Sequence, residues 1–250
     1  MFPIRDLNPT RIVPVITFLL IAGGLGAFFF WQDQSTEETQ IEFLYEHAVI
    51  ACEVTTGEPL TEDEIVRNVC EDDGGSAGTL FSDKNIWLAG IASLFLHGGL
   101  FHVLSNMWFL WIFGNNVEEG FGTLGYLVMY FAAGIVATGA FVLLNPDETV
   151  PLVGASGAIA GLLGAYLVLF PTHKVLTWMF IVFFVPIRAV LFLGFWFIAQ
   201  FGIGDTGVAW EAHVAGFLFG VLVTLPLRSR VLARIDTLHR STPERFGRPR

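Results

Sequence analysis

Charged side chains are scarce in this chain of 250 residues: Asp, Glu, Lys and Arg make up 14% of it, against 54% apolar residues. The mean hydropathy is +0.63. A soluble domain of this length would struggle to bury so much apolar surface, so the composition argues against one. An excess of basic residues is also missing, with 13 Lys and Arg against 23 Asp and Glu. We therefore predict no nucleic-acid partner.

Cysteine is equally scarce. The chain has two, Cys52 and Cys70, which excludes a scaffold held together by many disulfides. Both lie in an acidic segment that we place outside the membrane, where the redox environment permits a disulfide. We predict a disulfide between Cys52 and Cys70, and two unpaired thiols are the alternative.

Long apolar runs are the dominant feature that is present. A helix crosses a bilayer core with about 20 apolar residues, and six runs approach or reach that length: Ile12–Trp31, Ile86–Phe113, Phe121–Leu144, Leu152–Phe170, Ile187–Ile203 and Val208–Leu227. Gly98 and Gly99 interrupt the second run, so its helix is expected to begin near Leu100. The predicted fold is an all-α membrane protein, a bundle of six transmembrane helices with a large outer loop between helices 1 and 2.

Charge is distributed unevenly between these runs. Residues 32–86 hold fourteen acidic and two basic residues, whereas most arginines lie near the two termini. Because positive residues mark the cytoplasmic side, we predict a multi-pass cell-membrane protein with both termini in the cytoplasm. The predicted organisation is a cytoplasmic arm (1–11), a first span (12–31), an acidic extracytoplasmic loop (32–86), a core with the other five spans (87–227) and a basic cytoplasmic tail (228–250).

One apolar piece is too short to cross the membrane. Val175–Val185 lies between Lys174 and Arg188, which are both expected on the cytoplasmic side. We predict that it forms an interfacial or re-entrant connection.

Two polar residues stand out inside apolar runs. Ser156 lies in Gly154-Ala155-Ser156-Gly157, and His213 follows Ala212 in the last run. Polar groups at membrane depth are functional-site candidates by default. Both are expected about 6–8 Å from the outer ends of their helices, given a rise of 1.5 Å per residue. A hydroxyl beside an imidazole at equal depth predicts a nucleophile and its general base.

A second polar pair lies near the start of the second span. His102 and Asn106 are four residues apart and so share one helical face. They are expected at the same outer depth as Ser156 and His213. Their side chains, with the backbone N–H of Ser156, are suitable donors for an oxyanion. Simple hydrogen bonding between helices is the alternative for this pair.

These residues resemble the rhomboid family of intramembrane serine proteases. Three blocks carry the resemblance: His97-Gly98-Gly99 through His102 and Asn106 to Gly114 and Glu118; Gly154-Ala155-Ser156-Gly157; and Ala212-His213 with Gly216 and Gly220. The resemblance extends from about Ile86 to Leu227 and includes the first span.

The resemblance implies a serine–histidine dyad without an acid. Ser156 would be the nucleophile and His213 the general base, while His102, Asn106 and Gly154 would form the oxyanion and substrate-binding side. Substrates would be single-pass membrane proteins, cut near the outer face of the bilayer after a small residue. The family needs no metal or cofactor. By analogy, the fifth span, which is rich in aromatic residues, would be a mobile gate facing lipid.

The sequence departs from the family pattern at three positions outside the dyad. Leu88 follows Trp87 where many members have arginine, Ser93 replaces an additional histidine, and Ala160 replaces an aromatic residue that stacks on the catalytic histidine. These departures concern the anchoring of the outer loop and the orientation of His213.

Three other readings compete with the protease. A zinc site is conceivable from His97, His102 and His213, but the H-E-x-x-H pattern is absent and Ser156 would be idle. A noncatalytic relative that binds membrane clients would be expected to lack the serine or the histidine. A transporter would be expected to show an inverted repeat, and we find none.

Glu118 and Glu119 are expected to bond helix ends.

Overall fold

A computed structural model describes residues 1–71, 78–179, 183–202 and 207–241. Its elements are β1 (Phe2–Asp6), α1 (Val15–Gly26), α2 (Glu37–His47), α3 (Ala51–Thr56), α4 (Glu62–Arg67), α5 (Ile86–Ala92), α6 (Leu100–Leu144), α7 (Ser156–Leu169), β2 (Lys174–Met179), β3 (Phe183–Arg188), α8 (Ala189–Gln200) and α9 (Trp210–Ser241). Ile203 at the end of the fifth predicted span, and residues 242–250 of the predicted tail, lie outside the described residues.

Helices make up most of the described chain. Two of them, α6 and α9, are long and apolar enough to cross a membrane by length and composition. Val15–Trp31, which combines α1 with a following turn of π-helix, and α7 and α8 are shorter apolar helices. The predicted count of six spans therefore stays a prediction.

The longest helix is bent where two predicted spans meet. α6 begins at Leu100, directly after Gly99, and contains Gly122 with a φ of +73°. A side chain would strain that backbone conformation, whereas glycine adopts it readily. The bend divides α6 into two arms, which correspond to the second and third apolar runs.

The centre of the bundle is α7, whose residues are nearly all buried between α6 and α9. Glycines bring α7 and α9 into backbone contact: a Cβ on Gly216 would overlap the carbonyl oxygen of Gly157, and one on Gly220 would overlap that of Gly161. Small residues at such positions let helices in lipid approach closely. This contact sets the first turns of α7 and α9 side by side.

A three-stranded antiparallel sheet corrects the all-α prediction. β2 pairs with β1 on one side and with β3 on the other. The segment Val175–Val185 was predicted as an interfacial or re-entrant connection, and its described residues, 175–179 and 183–185, instead lie in two paired strands. The predicted N-terminal arm contributes β1. Pairing explains the strands, because each satisfies backbone groups that an isolated short apolar segment would leave exposed.

Outside residues 72–77, which are not described, the chain between α1 and α6 carries four short helices, α2 to α5. Cys52 and Cys70 are joined by a disulfide within it. Lys84 forms an ion pair with Glu53 at 2.6 Å, and both side chains are almost fully buried. Burial raises the pKa of Glu53 more than the neighbouring ammonium lowers it, because desolvation disfavours the carboxylate.

Glu118 and Glu119 bond to groups near the ends of other helices, as expected from the sequence. The Glu118 carboxylate accepts hydrogen bonds from the backbone N–H groups of Ile16 and Thr17 at 2.9 and 2.8 Å. These are donors that the first turn of α1 leaves unpaired. Glu119 is 3.0 Å from Nε2 of His239 on α9. Since α9 runs on to Ser241, the first residues of the predicted tail are helical.

Candidate active site

The hydroxyl of Ser156 and the imidazole of His213 are in hydrogen-bond contact. Ser156 Oγ lies 2.8 Å from Nε2 of His213. Ser156 is the first residue of α7, and His213 is the fourth residue of α9. The glycine contact between these helices makes the approach possible. A hydroxyl paired with an imidazole in this way is suited to nucleophilic attack on a carbonyl carbon.

A third side chain, which was not predicted from the sequence, contacts the other ring nitrogen of His213. Gln200 is the last residue of α8, and its Oε1 lies 2.7 Å from Nδ1 of His213. The side chain is buried, and its Nε2 donates to the carbonyl oxygen of Trp196 at 2.8 Å. The available signal was a lone amide within the otherwise apolar fifth run, to which no role was assigned.

His102 and Asn106 face the strand-like segment that precedes Ser156. A Cβ on Gly154 would lie 2.7 Å from Nε2 of His102 and 3.6 Å from Nδ2 of Asn106. Gly154 also has a φ of +120°, which L side chains rarely adopt. Glycine is therefore required here for two reasons, backbone conformation and the close approach of two side chains.

The side-chain donor atoms of His102 and Asn106 are available to an incoming acceptor. Nδ2 of Asn106 is buried and has no hydrogen-bond partner among the described residues. Buried amide donors are rarely left unpaired, so this one calls for an incoming acceptor. The backbone N–H of Gly98 donates to Nδ1 of His102 at 3.4 Å, which leaves the imidazole proton on Nε2. Both donors thus converge beside Gly154.

The segment before Ser156 is anchored by Ser93, one of the departures from the family pattern. The N–H of Gly154 donates to the Ser93 carbonyl oxygen at 2.8 Å, and Ser93 Oγ accepts from the N–H of Val49 at 2.8 Å. Leu152 also bonds to Val49. The chain between α1 and α6 therefore holds the backbone that leads into the serine.

Two further aromatic contacts shape the site. Ala160 is buried and supplies no ring, but Trp196 of α8 lies against His213 with ring centroids 6.0 Å apart. The imidazole of His97 meets that of His102 edge to face at 5.1 Å. His97 is thus a neighbour of the donor pair.

The serine, the histidine bonded to it and the two donor side chains line one cavity of about 830 Å³. Its wall includes Ser156, His213, His102, Asn106 and the backbone of Gly154. Two carboxylates, Glu148 and Glu211, are also at its wall. The described part of the chain contains no group of three or more His, Cys, Asp or Glu residues arranged to hold a metal ion. The three histidines considered for zinc therefore do not form a ligand set.

Comparison with known proteins agrees with the sequence blocks. The model of the Rhomboid domain matches residues 84–230, more than half of the chain. Rhomboid protease GluP of Bacillus subtilis is 31% identical over 141 residues, which cover 56% of this chain and 26% of that protein. Rhomboid protein 1, mitochondrial, of Saccharomyces cerevisiae is 30% identical over 142 residues, covering 53% of this chain and 39% of that protein.

One similar protein carries a different description. Inactive RHOMBOID-like protein 8 of Arabidopsis thaliana is 35% identical over 94 residues, 38% of this chain and 26% of that protein. The chain thus spans well under half the length of the relatives it matches. Rhomboid proteins are embedded in membranes and include named proteases. On the match of the domain model to most of its length, this chain belongs to the rhomboid family.

Proposed function

We propose that this protein is an intramembrane serine endopeptidase. The observation that carries the proposal is the 2.8 Å contact between Ser156 Oγ and His213 Nε2 in the wall of a cavity. Two converging donors on His102 and Asn106 support it, because acyl transfer needs both an activated nucleophile and a site for the oxyanion.

In the proposed reaction, Nε2 of His213 accepts the proton of Ser156 as Oγ attacks the peptide carbonyl carbon. The carbonyl oxygen becomes an oxyanion and accepts hydrogen bonds from His102 Nε2, Asn106 Nδ2 and the N–H of Ser156. That N–H has no partner within its own helix, because Ser156 begins α7. His213 then donates the proton to the leaving amine. Water, activated in turn by His213, hydrolyses the acyl-enzyme.

The proposed substrates are single-pass membrane proteins, cut near the outer face of the bilayer. The acidic segment of residues 32–86 and the arginine-rich termini favour an orientation with both termini in the cytoplasm. Ser156 and His213 are both near the N-terminal ends of their helices, on the side where Val49 meets Leu152. In this orientation the cavity opens to the extracytoplasmic side.

The second candidate is a noncatalytic protein that binds membrane clients. The similarity of this chain to a relative named inactive favours this reading. Against it, this chain keeps both Ser156 and His213, and the two are hydrogen bonded. A binding protein has no need of an activated hydroxyl beside an unpaired amide donor.

Labelling with a serine-directed fluorophosphonate separates these candidates without a known substrate. The protein in detergent micelles is expected to become covalently labelled, because the imidazole increases the nucleophilicity of Ser156. Label is measured by fluorescence after denaturing electrophoresis. Ser105→Ala serves as a control and should keep the label, since Ser105 lines the same cavity and its hydroxyl, within the described parts of the chain, bonds only to its own helix. Labelling that survives in Ser156→Ala, or is absent from the wild type, would contradict the proposal.

Asn106→Ala is expected to slow turnover without unfolding the protein. Removing one oxyanion donor costs about 2.7–4 kcal/mol in the barrier, which corresponds to about 10²- to 10³-fold in kcat. Cleavage rates of a model transmembrane substrate, with KM measured separately, test this. Unchanged kcat would reassign Asn106 to helix packing.

A further inference from the structure

The other ring nitrogen of His213 is occupied by an uncharged side chain. We propose that Gln200 is a positioning residue that accepts the Nδ1 proton of His213 and so holds the imidazole in the tautomer whose Nε2 receives the Ser156 proton. The proposal rests on the proposed function for its catalytic consequence, although the hydrogen bond itself does not. Gln200 would then stand where other serine hydrolases have an acid.

The orientation of the Gln200 amide follows from its second contact. Nε2 of Gln200 donates to the Trp196 carbonyl oxygen at 2.8 Å, and a carbonyl oxygen can only accept. The flipped amide would set two acceptors against each other. Oε1 is therefore the atom that faces His213, at 2.7 Å from Nδ1.

The tautomer of His213 follows in turn. Oε1 of Gln200 accepts, so Nδ1 must carry the imidazole proton. In the neutral ring Nε2 is then the acceptor, and it lies 2.8 Å from Ser156 Oγ. The opposite tautomer would leave Nδ1 and Oε1 as facing acceptors. It would also deprive the serine hydroxyl of its base.

The surroundings of Gln200 strengthen its hold on the ring. Its side chain is 5% exposed, so water competes little for the hydrogen bond. Trp196, one turn earlier on α8, supplies both the amide's acceptor and the ring beside His213. Among the described residues, no carboxylate is hydrogen bonded to Nδ1 of His213. An amide orients the base without adding negative charge, so its effect should be smaller than that of an aspartate.

Gln200→Met tests the role in catalysis, because methionine is similar in size and its thioether is a much weaker hydrogen-bond acceptor than an amide oxygen. We expect kcat to fall by about 10- to 100-fold with KM little changed, as a misplaced base slows the chemical step alone. Ile198→Met, on the exposed face of the same helix, is the matched control and should keep the wild-type rate. A Gln200→Met protein with wild-type kcat would overturn the catalytic role.

Gln200→Glu provides the readout that a packing role would not change. A carboxylate accepts the same proton and stabilises the imidazolium, so activity should be retained. The acidic limb of the pH–rate profile should move up by about one pH unit or more. An unshifted acidic limb would contradict the proposal.

Nitrogen-15 NMR of histidine-labelled protein tests the hydrogen bond independently of proteolysis. The His213 signals, assigned by their loss in His213→Ala, should show the proton on Nδ1 in the wild type and a changed tautomer balance in Gln200→Met. Equal tautomer populations in both proteins would overturn the proposal even if the protease is active. A changed balance in a protein that fluorophosphonate fails to label would refute the proposed function and leave the positioning contact standing.

Discussion

Replacing Ser156 or His213 by alanine is expected to abolish cleavage of a transmembrane substrate while the protein still folds and inserts. Each substitution removes one partner of the 2.8 Å contact. Without the imidazole the hydroxyl is not activated, and without the hydroxyl there is no nucleophile. Loss of such a residue lowers kcat by about 10⁴- to 10⁶-fold in serine proteases. The measurement is product formation from a single-span substrate reconstituted with the protein in liposomes.

Two further alanine variants serve as matched controls. Among the described residues, Ser241 bonds only to the backbone of its own helix, and the His47 ring packs on Phe43 and Trp31, which do not line the cavity. Ser241→Ala and His47→Ala should therefore keep the wild-type rate. Full cleavage by Ser156→Ala or His213→Ala would refute the dyad. Loss of cleavage in the controls would show that the assay reports folding.

Gly220→Ala is expected to destabilise the fold more than any comparable change on the lipid-facing helices. A Cβ on Gly220 would overlap the Gly161 carbonyl oxygen, and that atom belongs to a buried helix backbone that cannot rotate away. Overpacking of this kind costs about 1–3 kcal/mol in the free energy of unfolding. Reversible unfolding in mixed micelles, followed by circular dichroism, measures the loss.

The matched control for this substitution is Gly194→Ala on α8. A Cβ there has open space around it. Its effect should stay within about 1 kcal/mol, since alanine is a better helix former than glycine. Equal stabilities of the two variants would contradict the close contact between α7 and α9. Gly220→Ala should also slow cleavage, because separating these helices lengthens the path from Ser156 to His213.

Ser156 and His213 could be singled out from the sequence because their signals are local. A serine or histidine inside an apolar run is conspicuous. The number of residues between it and the end of the run, multiplied by the helical rise, gives its depth in the membrane. The same reasoning found His102 and Asn106, since their spacing sets them on one face. Gly154 was part of a motif in the sequence, but its φ of +120° and its approach to His102 became visible only in the fold.

The sheet and Gln200 were missed for a different reason. β2 and β3 are apolar and short, and a pattern of that kind does not distinguish a strand from an interfacial segment without its partner. β1 comes from the opposite end of the chain, so the pairing with β2 depends on tertiary contact. Gln200 is a single polar residue within an apolar run, and its contact with His213 depends on the packing of α8 beside α9.

Hydropathy and spacing along single helices were sufficient to predict the apolar segments and to single out the four polar residues of the proposed site, and the motifs around those residues carried the resemblance to the family. Which of these groups meet depends on the fold, through the glycine contact between α7 and α9. The fold also places Gln200 against Nδ1 of His213. Gln200 and Ser93 act through neighbours distant in the chain, and no local pattern reveals a partner of that kind.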